Sequence, residues 1–388
     1  MFFKFLTLTC LVLSCVRAHE SSRTKWYQLT ANFTFEEYLL EYSKSYRSRE
    51  EHNLRRTNFH RNLQYVLAHN ANRDAAWHAG LNGFSDWTTE EFRERRLRQG
   101  RKGSHRASDL KSAIAYSNVS SETSPDALPK EVDWRTKKNI VGRPRDQGDC
   151  GSCWAFSVAE TIASRLAVST GKLFKLSPQQ VTSCTPNPDH CGGSGGCDGA
   201  TEALGYDYIA KVGISTDKEY PYRSKNGKDF DCKQKKIKPV ASVKGHVALP
   251  TNEYLPLVQA VQDGPLSVAV AVSDDFMYYE SGIWKCSMKG KKAKQCWEIN
   301  HAVQLVGYGE KKNGEMYWIV RNSWGKSWGE DGFIRVARYG EGKEPCGEDL
   351  KPSDGSSCGP PYPKKIHVCG EAGILSDNTY PVDPYLVK

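Results

Sequence analysis

The sequence contains no run of about 20 apolar residues, the length needed to cross a bilayer, so no membrane association is expected. Repeats of solenoid type are absent, and no βαβ pattern precedes its Cys-x-x-Cys segment. Charge is not lopsided either: Lys plus Arg number 54 against 45 Asp plus Glu. Many positive charges fall between Arg93 and Arg106, where a solvated, protease-accessible linker explains them more simply than a nucleic-acid footprint, which needs a basic face on a binding fold. No nucleic-acid partner is expected.

What is present is enough bulk for two or three domains: 388 residues, 38% of them hydrophobic. Met1 to Ala18 carries Lys4, an apolar run from Phe5 to Val16, and a small-residue end at Val16-Arg17-Ala18, the form of a secretory leader. The route implies an oxidising compartment. Asn32-Phe33-Thr34 and Asn118-Val119-Ser120 have the form of glycan acceptors. Of 13 cysteines, Cys10 and Cys15 sit in the leader, and the odd number remaining leaves at least one thiol without an internal partner.

From Phe35 to Asn70, apolar residues recur at helical spacing, which predicts two amphipathic helices. Glu51, Arg55, Phe59, Asn62, Val66 and Asn70 share one side of the second, where Glu51 and Arg55 can pair. A turn-rich stretch, Gly80 to Asp86, closes this unit. A charged, then Gly- and Ser-rich linker follows, and a large globular unit opens near Leu128-Pro129. Its first half reads as helical, at Trp154 to Leu166 and Ala203 to Ile209. Its second half reads as strands, at Leu266 to Val272, Ala302 to Val306, Tyr317 to Val320 and Phe333 to Val336. That order predicts an α+β fold with a cleft between two lobes.

At the head of the first predicted helix of the large unit stands Gln147-Gly148-Asp149-Cys150-Gly151-Ser152-Cys153-Trp154. A thiol at a helix N-terminus feels the positive end of the backbone dipole, which favours thiolate. Thiolate chemistry also calls for an imidazole brought near by the fold. His301 is the candidate, at the start of a predicted strand and followed by Arg321-Asn322-Ser323-Trp324-Gly325. The Asn322 amide can accept from the imidazole and set its tautomer. Trp324 can cover that contact, and the Gln147 amide can donate to an oxyanion beside the Cys153 N–H.

These residues resemble those of papain-family proenzymes, on the cathepsin L-like branch, over almost the whole chain. The helical series from Glu51 to Asn70, with Val66 where Ile is usual, resembles the propeptide motif of that branch. Gly80, Asn82, Phe84 and Asp86 resemble its second one. The resemblance implies a cysteine endopeptidase made as a zymogen, with a leader at 1–18, a helical inhibitory propeptide and linker at 19–126, and a papain-like peptidase at 127–388 with a helical lobe and a β-barrel-like lobe. It implies a catalytic set of Cys153, His301, Asn322 and Gln147, with no metal or other cofactor. It also implies the disulfides Cys150 to Cys197 and Cys184 to Cys232, and a bridge from Cys369 to Cys286 or Cys296. Substrate contacts fall, by the same likeness, on Gly199, Ala200, Thr201, Glu202, Ala269, Ile299, Asn300, Trp324 and Asp377. Among them, Thr201, Glu202, Ala269 and Ile299, with Asp377 at the base, would wall the pocket for the second residue before the cut bond. Partners implied are peptides and proteins, the chain's own propeptide and cystatin-type inhibitors. A monomer in an acid organelle or outside the cell is expected. Acid is expected to release the propeptide by protonating carboxylates such as Asp86, after which Arg93 to Arg106 offers cleavage sites.

The chain departs from that family in the segment Tyr339 to Val368, which is longer than usual and carries two extra cysteines. It reads first as a cross-linked surface loop and second as a partner contact. Ala372 stands where a cysteine is usual. Three rival readings bear on the motif: a Cys150/Cys153 redox pair, a zinc knuckle from Cys184, His190, Cys191 and Cys197, and a silent binding protein on the same fold.

Overall fold

A computed structural model describes residues 23–97 and 128–387, apart from positions 234, 236, 237, 289–291 and 356. The leader, the acceptor form at Asn118 and the boundary at 126/127 lie outside the described residues. The precursor unit holds α1 (Phe35–Glu41), α2 (Arg49–Asn70), β1 (Trp77–Ala79) and α3 (Thr89–Arg96). Each helix starts on a hydroxyl that accepts the N–H three residues on: Thr34 from Glu37, Ser48 from Glu51 and Thr88 from Glu91.

The expected face of α2 grips the turn-rich stretch. The Asn62 amide donates to the carbonyls of Ser85 (3.0 Å) and Trp87 (2.8 Å), and Asn70 exchanges two hydrogen bonds with Ala79. Arg55 comes only to 4.0 Å from Glu51 and forms a two-pronged pair with Glu91 at 2.7 and 2.9 Å. Asp86 is buried and accepts from Tyr38 (2.8 Å), Tyr46 (2.6 Å) and Lys44 (3.1 Å). All three partners belong to the precursor unit, so Asp86 holds that unit together internally and does not fasten it to the enzyme.

The large unit runs β2 (Val132–Asp133), α4 (Cys153–Thr170), α5 (Pro178–Cys184), α6 (Glu202–Val212), β3 (Ala241–Ser242), β4 (Gly245–Ala248), α7 (Tyr254–Gln262), β5 (Leu266–Ala271), β6 (Tyr279–Trp284), α8 (Lys292–Gln295), β7 (Ile299–Glu310), β8 (Met316–Arg321), β9 (Phe333–Arg338), β10 (Cys346–Asp349), β11 (Ile366–Cys369), β12 (Asn378–Val382) and β13 (Tyr385–Leu386). The predicted helices and strands all appear, most of them longer than predicted. Helices α5 and α7 were not foreseen. One core, with Trp154, Ile162, Leu166, Val181, Tyr206 and Ile209, fills the helical lobe. A sheet in the order β1-β6-β9-β8-β7-β5-β12-β4 forms the other lobe, with β2 added beside β7.

The outermost strand of that sheet comes from the precursor unit: β1 pairs antiparallel with β6, Trp77 opposite Gly282. Precursor side chains such as Phe59, Phe84 and Phe92 share one apolar core with Phe276, Trp324 and Trp328 of the β lobe. Two arrangements correct the expectation from sequence. Arg93, Arg95 and Arg96 sit on α3 and face enzyme carboxylates at 2.7 Å (Asp274), 3.4 Å (Asp149) and 2.6 Å (Asp146), so this part of the basic stretch is a docking face and not a linker. Cys369 bonds Cys346, while Cys286 bonds Cys296. The cause is register: β10 and β11 form a hairpin that places Cys346 directly opposite Cys369.

Candidate active site

Two hydrogen bonds set the helical lobe against the sheet. Ser157 on α4 donates through Oγ to the Val303 carbonyl on β7 at 2.9 Å, and Gln304 donates to Ser164 at 3.2 Å. Stepping back from the Ser157 contact by one helical turn (~6 Å) leads to Cys153. Stepping back by two strand residues (~6.6 Å) leads to His301. Cys153 and Ala302, the residue after His301, lie in the same apolar core, so the head of α4 and the start of β7 belong to one packed region. Behind them the Arg321 guanidinium on β8 meets the Glu160 carboxylate on α4 at 2.6 Å, both fully enclosed, and this pair braces helix against sheet.

Cys153 is buried and is the one free thiol among the described residues. The Ser152 hydroxyl does not cap the helix; it turns to Tyr222 at 2.7 Å, which leaves the start of α4 without a side-chain cap. On the sheet side, β7 and β8 pair from Gln304 opposite Arg321, and just past that pairing His301 Nε2 lies 2.8 Å from Asn322 Oδ1. This contact commits Nε2 to the amide. The Trp324 ring lies 4.8 Å from the imidazole and is itself buried, which keeps water from competing for the contact.

Gln147 is fully buried. Its loop is pinned by a backbone bond to Ser323 (2.9 Å), and Ser323 Oγ donates to Gln147 Oε1 at 2.6 Å. The side-chain NH2 has two protons, and both are used. One goes to the Cys150 carbonyl at 2.8 Å, the other to the Arg96 carbonyl of the precursor unit at 2.9 Å. The precursor backbone thus occupies the direction in which this amide would meet a substrate oxygen. Phe92 and Phe84 also stand edge-on to Trp324, at 5.0 and 6.0 Å.

The other positions expected to contact substrate fall on several elements. Ala200 is fully buried, Thr201 stands at the N-cap position of α6 without a side-chain cap bond, and Glu202 opens the helix. Ala269 and Ile299 pack together with Ala271 and Val368. The Asp377 carbonyl accepts from Ala269 N at 2.9 Å, which puts its backbone next to that cluster. Asn300 is spent on the backbone of Val272, at 2.9 and 3.3 Å. Gly199 adopts a φ of 107° that favours glycine. Sequence reasoning missed Val368 and Gly355, which cover Ile299, and the Arg96 carbonyl. The extra cysteines were the only signal of the first two.

Cys150 is bonded to Cys197, Cys184 to Cys232 and Cys191 to Cys358. The first two are the expected bridges. Together the three bonds remove the redox-pair reading, because Cys150 cannot also bond Cys153, and the zinc knuckle, because no thiolate is left at Cys184, Cys191 or Cys197.

Fold and site define a two-lobed thiol hydrolase carried with its own helical cover. Comparison with known proteins agrees. A family model described as papain family cysteine protease matches residues 128–353, and one for the cathepsin propeptide inhibitor domain matches residues 35–92. The chain is 37% identical to pro-cathepsin H of Bos taurus over 326 residues, 82% of this chain and 90% of that one. Among solved structures, a recombinant stem bromelain precursor superposes with a TM-score of 0.68 at 28% identity, covering 90% of this chain and 97% of that one. A digestive procathepsin L 3 of Tenebrio molitor larval midgut gives the same score and identity over 89% and 97%. The chain belongs to the papain family of cysteine proteases and is a zymogen whose propeptide is an intramolecular inhibitor.

Proposed function

We propose that Cys153 is the nucleophile of this protease. As the thiolate it attacks a peptide carbonyl, His301 gives a proton from Nδ1 to the leaving amine, and a thioester forms. Water that loses its proton to His301 then releases the acid. Asn322 holds the ring by its contact with Nε2, and Gln147 with the Cys153 N–H stabilises the oxyanion in both steps. The observation that carries this reading is the 2.8 Å contact of His301 with Asn322 beneath Trp324, on the strand registered against the helix that begins at Cys153. Labelling the matured protein with a peptidyl epoxide and identifying the modified residue tests it. Modification at any residue but Cys153, or an undiminished turnover in Asn322→Ala, would remove it.

Ala269, Ile299 and Val368 support a largely apolar pocket for the second residue before the cut bond, with Thr201, Glu202 and Asp377 as its acidic side. Matched peptides with Arg, Leu and Phe at that position measure the balance, and Asp377→Ala is expected to lower the Arg peptide alone. The cleft also suits cystatin-type inhibitors. The protein acts as a monomer on peptides and proteins, in a lysosome-like organelle or outside the cell. Among the described residues no helix is long and apolar enough to cross a membrane.

Acid opens the zymogen at the contact of Arg96 on α3 with Asp146. Burial pushes the Asp146 carboxyl up, but the Arg96 charge and the Gly148 N–H outweigh it and hold the group below its ordinary value. A lowered value means the contact is complete at neutral pH and is lost as pH falls through that lowered value. A Cys153→Ala precursor that matures at the normal rate in acid would show that another protease does the cutting.

A further inference from the structure

The hairpin β10–β11 leaves the β lobe and ends on the helical lobe. Its base is tied to the approach to His301: the buried Asp349 carboxylate accepts from Ile299 N at 3.2 Å, and Lys351 pairs with Glu298 at 2.9 Å. Its tip is tied across the cleft. Cys358 is bonded to Cys191, Ser357 O accepts from Gly192 N at 3.1 Å, and the Tyr362 hydroxyl donates to the His190 carbonyl at 2.9 Å.

The crossing itself is short. Gly355 lies so close to Ile299 that a Cβ on it would stand 2.3 Å from the Ile299 carbonyl oxygen and 2.9 Å from its side chain, so only glycine fits. Ser357, two positions on, is already bonded to Gly192 on the opposite wall. Two residues reach at most ~7 Å. Gly355 on one wall and Ser357 on the other therefore stand within ~7 Å of each other along the chain at Ile299. Ile299 precedes His301 by two strand residues, a distance that an extended substrate covers in about two residues of its own.

We infer that this hairpin closes the amino-terminal end of the cleft about two residues from Cys153, so that the matured protease prefers bonds near a free amino end over bonds deep inside a chain. The direction rests on the assignment of Ile299 to the pocket for the second residue before the cut bond. An extended chain running past that pocket meets the backbone of Gly355 and the Cys191–Cys358 bond. A chain that ends there does not.

The test uses the matured protein and peptides with one cleavable bond, carrying two, four or six residues before it, each with a free or acetylated amino end. From two to six residues kcat/KM should fall about tenfold or more, the scale of discrimination when a small group fails to fit its site. Replacing residues 350–365 by a two-residue Asn-Gly turn should level the series. A milder variant, Cys191→Ser with Cys358→Ser, should flatten it in part and serves if the shortened chain does not fold. A flat or rising series in the wild type overturns the inference. So does a fall that follows the number of residues after the bond instead of before it. If peptides are cut and Cys153 is labelled while the series is flat, the catalytic reading stands and only the closed end is lost. If no peptide is cut and the label lands elsewhere, both are lost.

Discussion

The precursor unit and the 346–369 hairpin both lean on the β lobe and both reach the helical lobe, yet they are fastened by opposite chemistry. The precursor adds β1 to a sheet edge, shares an apolar core with Trp324 and sets three arginines against enzyme carboxylates. Every one of these contacts is non-covalent and so reversible. The hairpin is held at its base by the Cys346–Cys369 bond and at its tip by Cys191–Cys358. A cover that must leave is built from non-covalent contacts, while the one inferred to shape the working cleft is covalent.

The largest test of this contrast is to strip the precursor's charges. Arg93→Ala, Arg95→Ala and Arg96→Ala together should speed thiol labelling of Cys153 in the unprocessed precursor by roughly 10–100-fold at neutral pH, mostly through Arg96, whose side chain is buried while its partner Asp146 stays partly exposed and solvent-screened. An unchanged labelling rate would mean that the strand and the shared core suffice. Gln147→Ala sharpens the comparison next, because one amide serves both states. It should lower kcat of the matured enzyme by ~10²–10³, as loss of an oxyanion donor does, and also speed labelling of the precursor through loss of the Arg96 contact.

Untying the other cover should behave differently. Cys191→Ser with Cys358→Ser is expected to leave precursor labelling within about twofold while lowering the melting temperature of the matured protein by roughly 5–10 °C, from a disulfide contribution of about 2–4 kcal/mol. Calorimetry checks this, and an equal melting point would show that the hairpin's hydrogen bonds hold it alone. The smallest effect concerns Glu280, which lies under Trp26 and Gly80. Burial raises its carboxyl to about 7, against the opposing pull of Lys25 and the Trp26 N–H. A raised value means that docking takes up a proton, so this contribution is present below the ordinary carboxylate range and is lost as pH rises through about 7. Precursor labelling should therefore quicken several-fold between pH 6 and 8, an order-of-magnitude figure from that linkage, and Glu280→Gln should abolish the change.

The head of α4 was readable because its chemistry is local. A glutamine, a tight Gly-Ser turn and a cysteine before an apolar-periodic run are visible in one short stretch, and the Asn-Ser-Trp stretch after His301 named its partner. The same holds for the α2 face, whose spacing is a helical period. Arg93 to Arg96 were misread for a different reason. Three arginines look alike whether they face water or Asp146, Asp149 and Asp274, and nothing nearby in the chain tells the two apart. Asp86 was expected among the contacts that hold the precursor on the enzyme on the same grounds. The pairing of Cys369 turned on which cysteine the β10–β11 register set opposite it.

The order of residues alone determined which side chains can do chemistry and which segments are helix or strand, because dipoles, hydrogen-bonding capacity and apolar period are properties of neighbours in the chain. Only the folded arrangement decided what lies across from what: the Arg96 carbonyl on the Gln147 amide, β1 on the edge of the enzyme's sheet, and Gly355 against Ile299. Those contacts join residues distant in sequence, and the packing that joins them depends on the whole core at once.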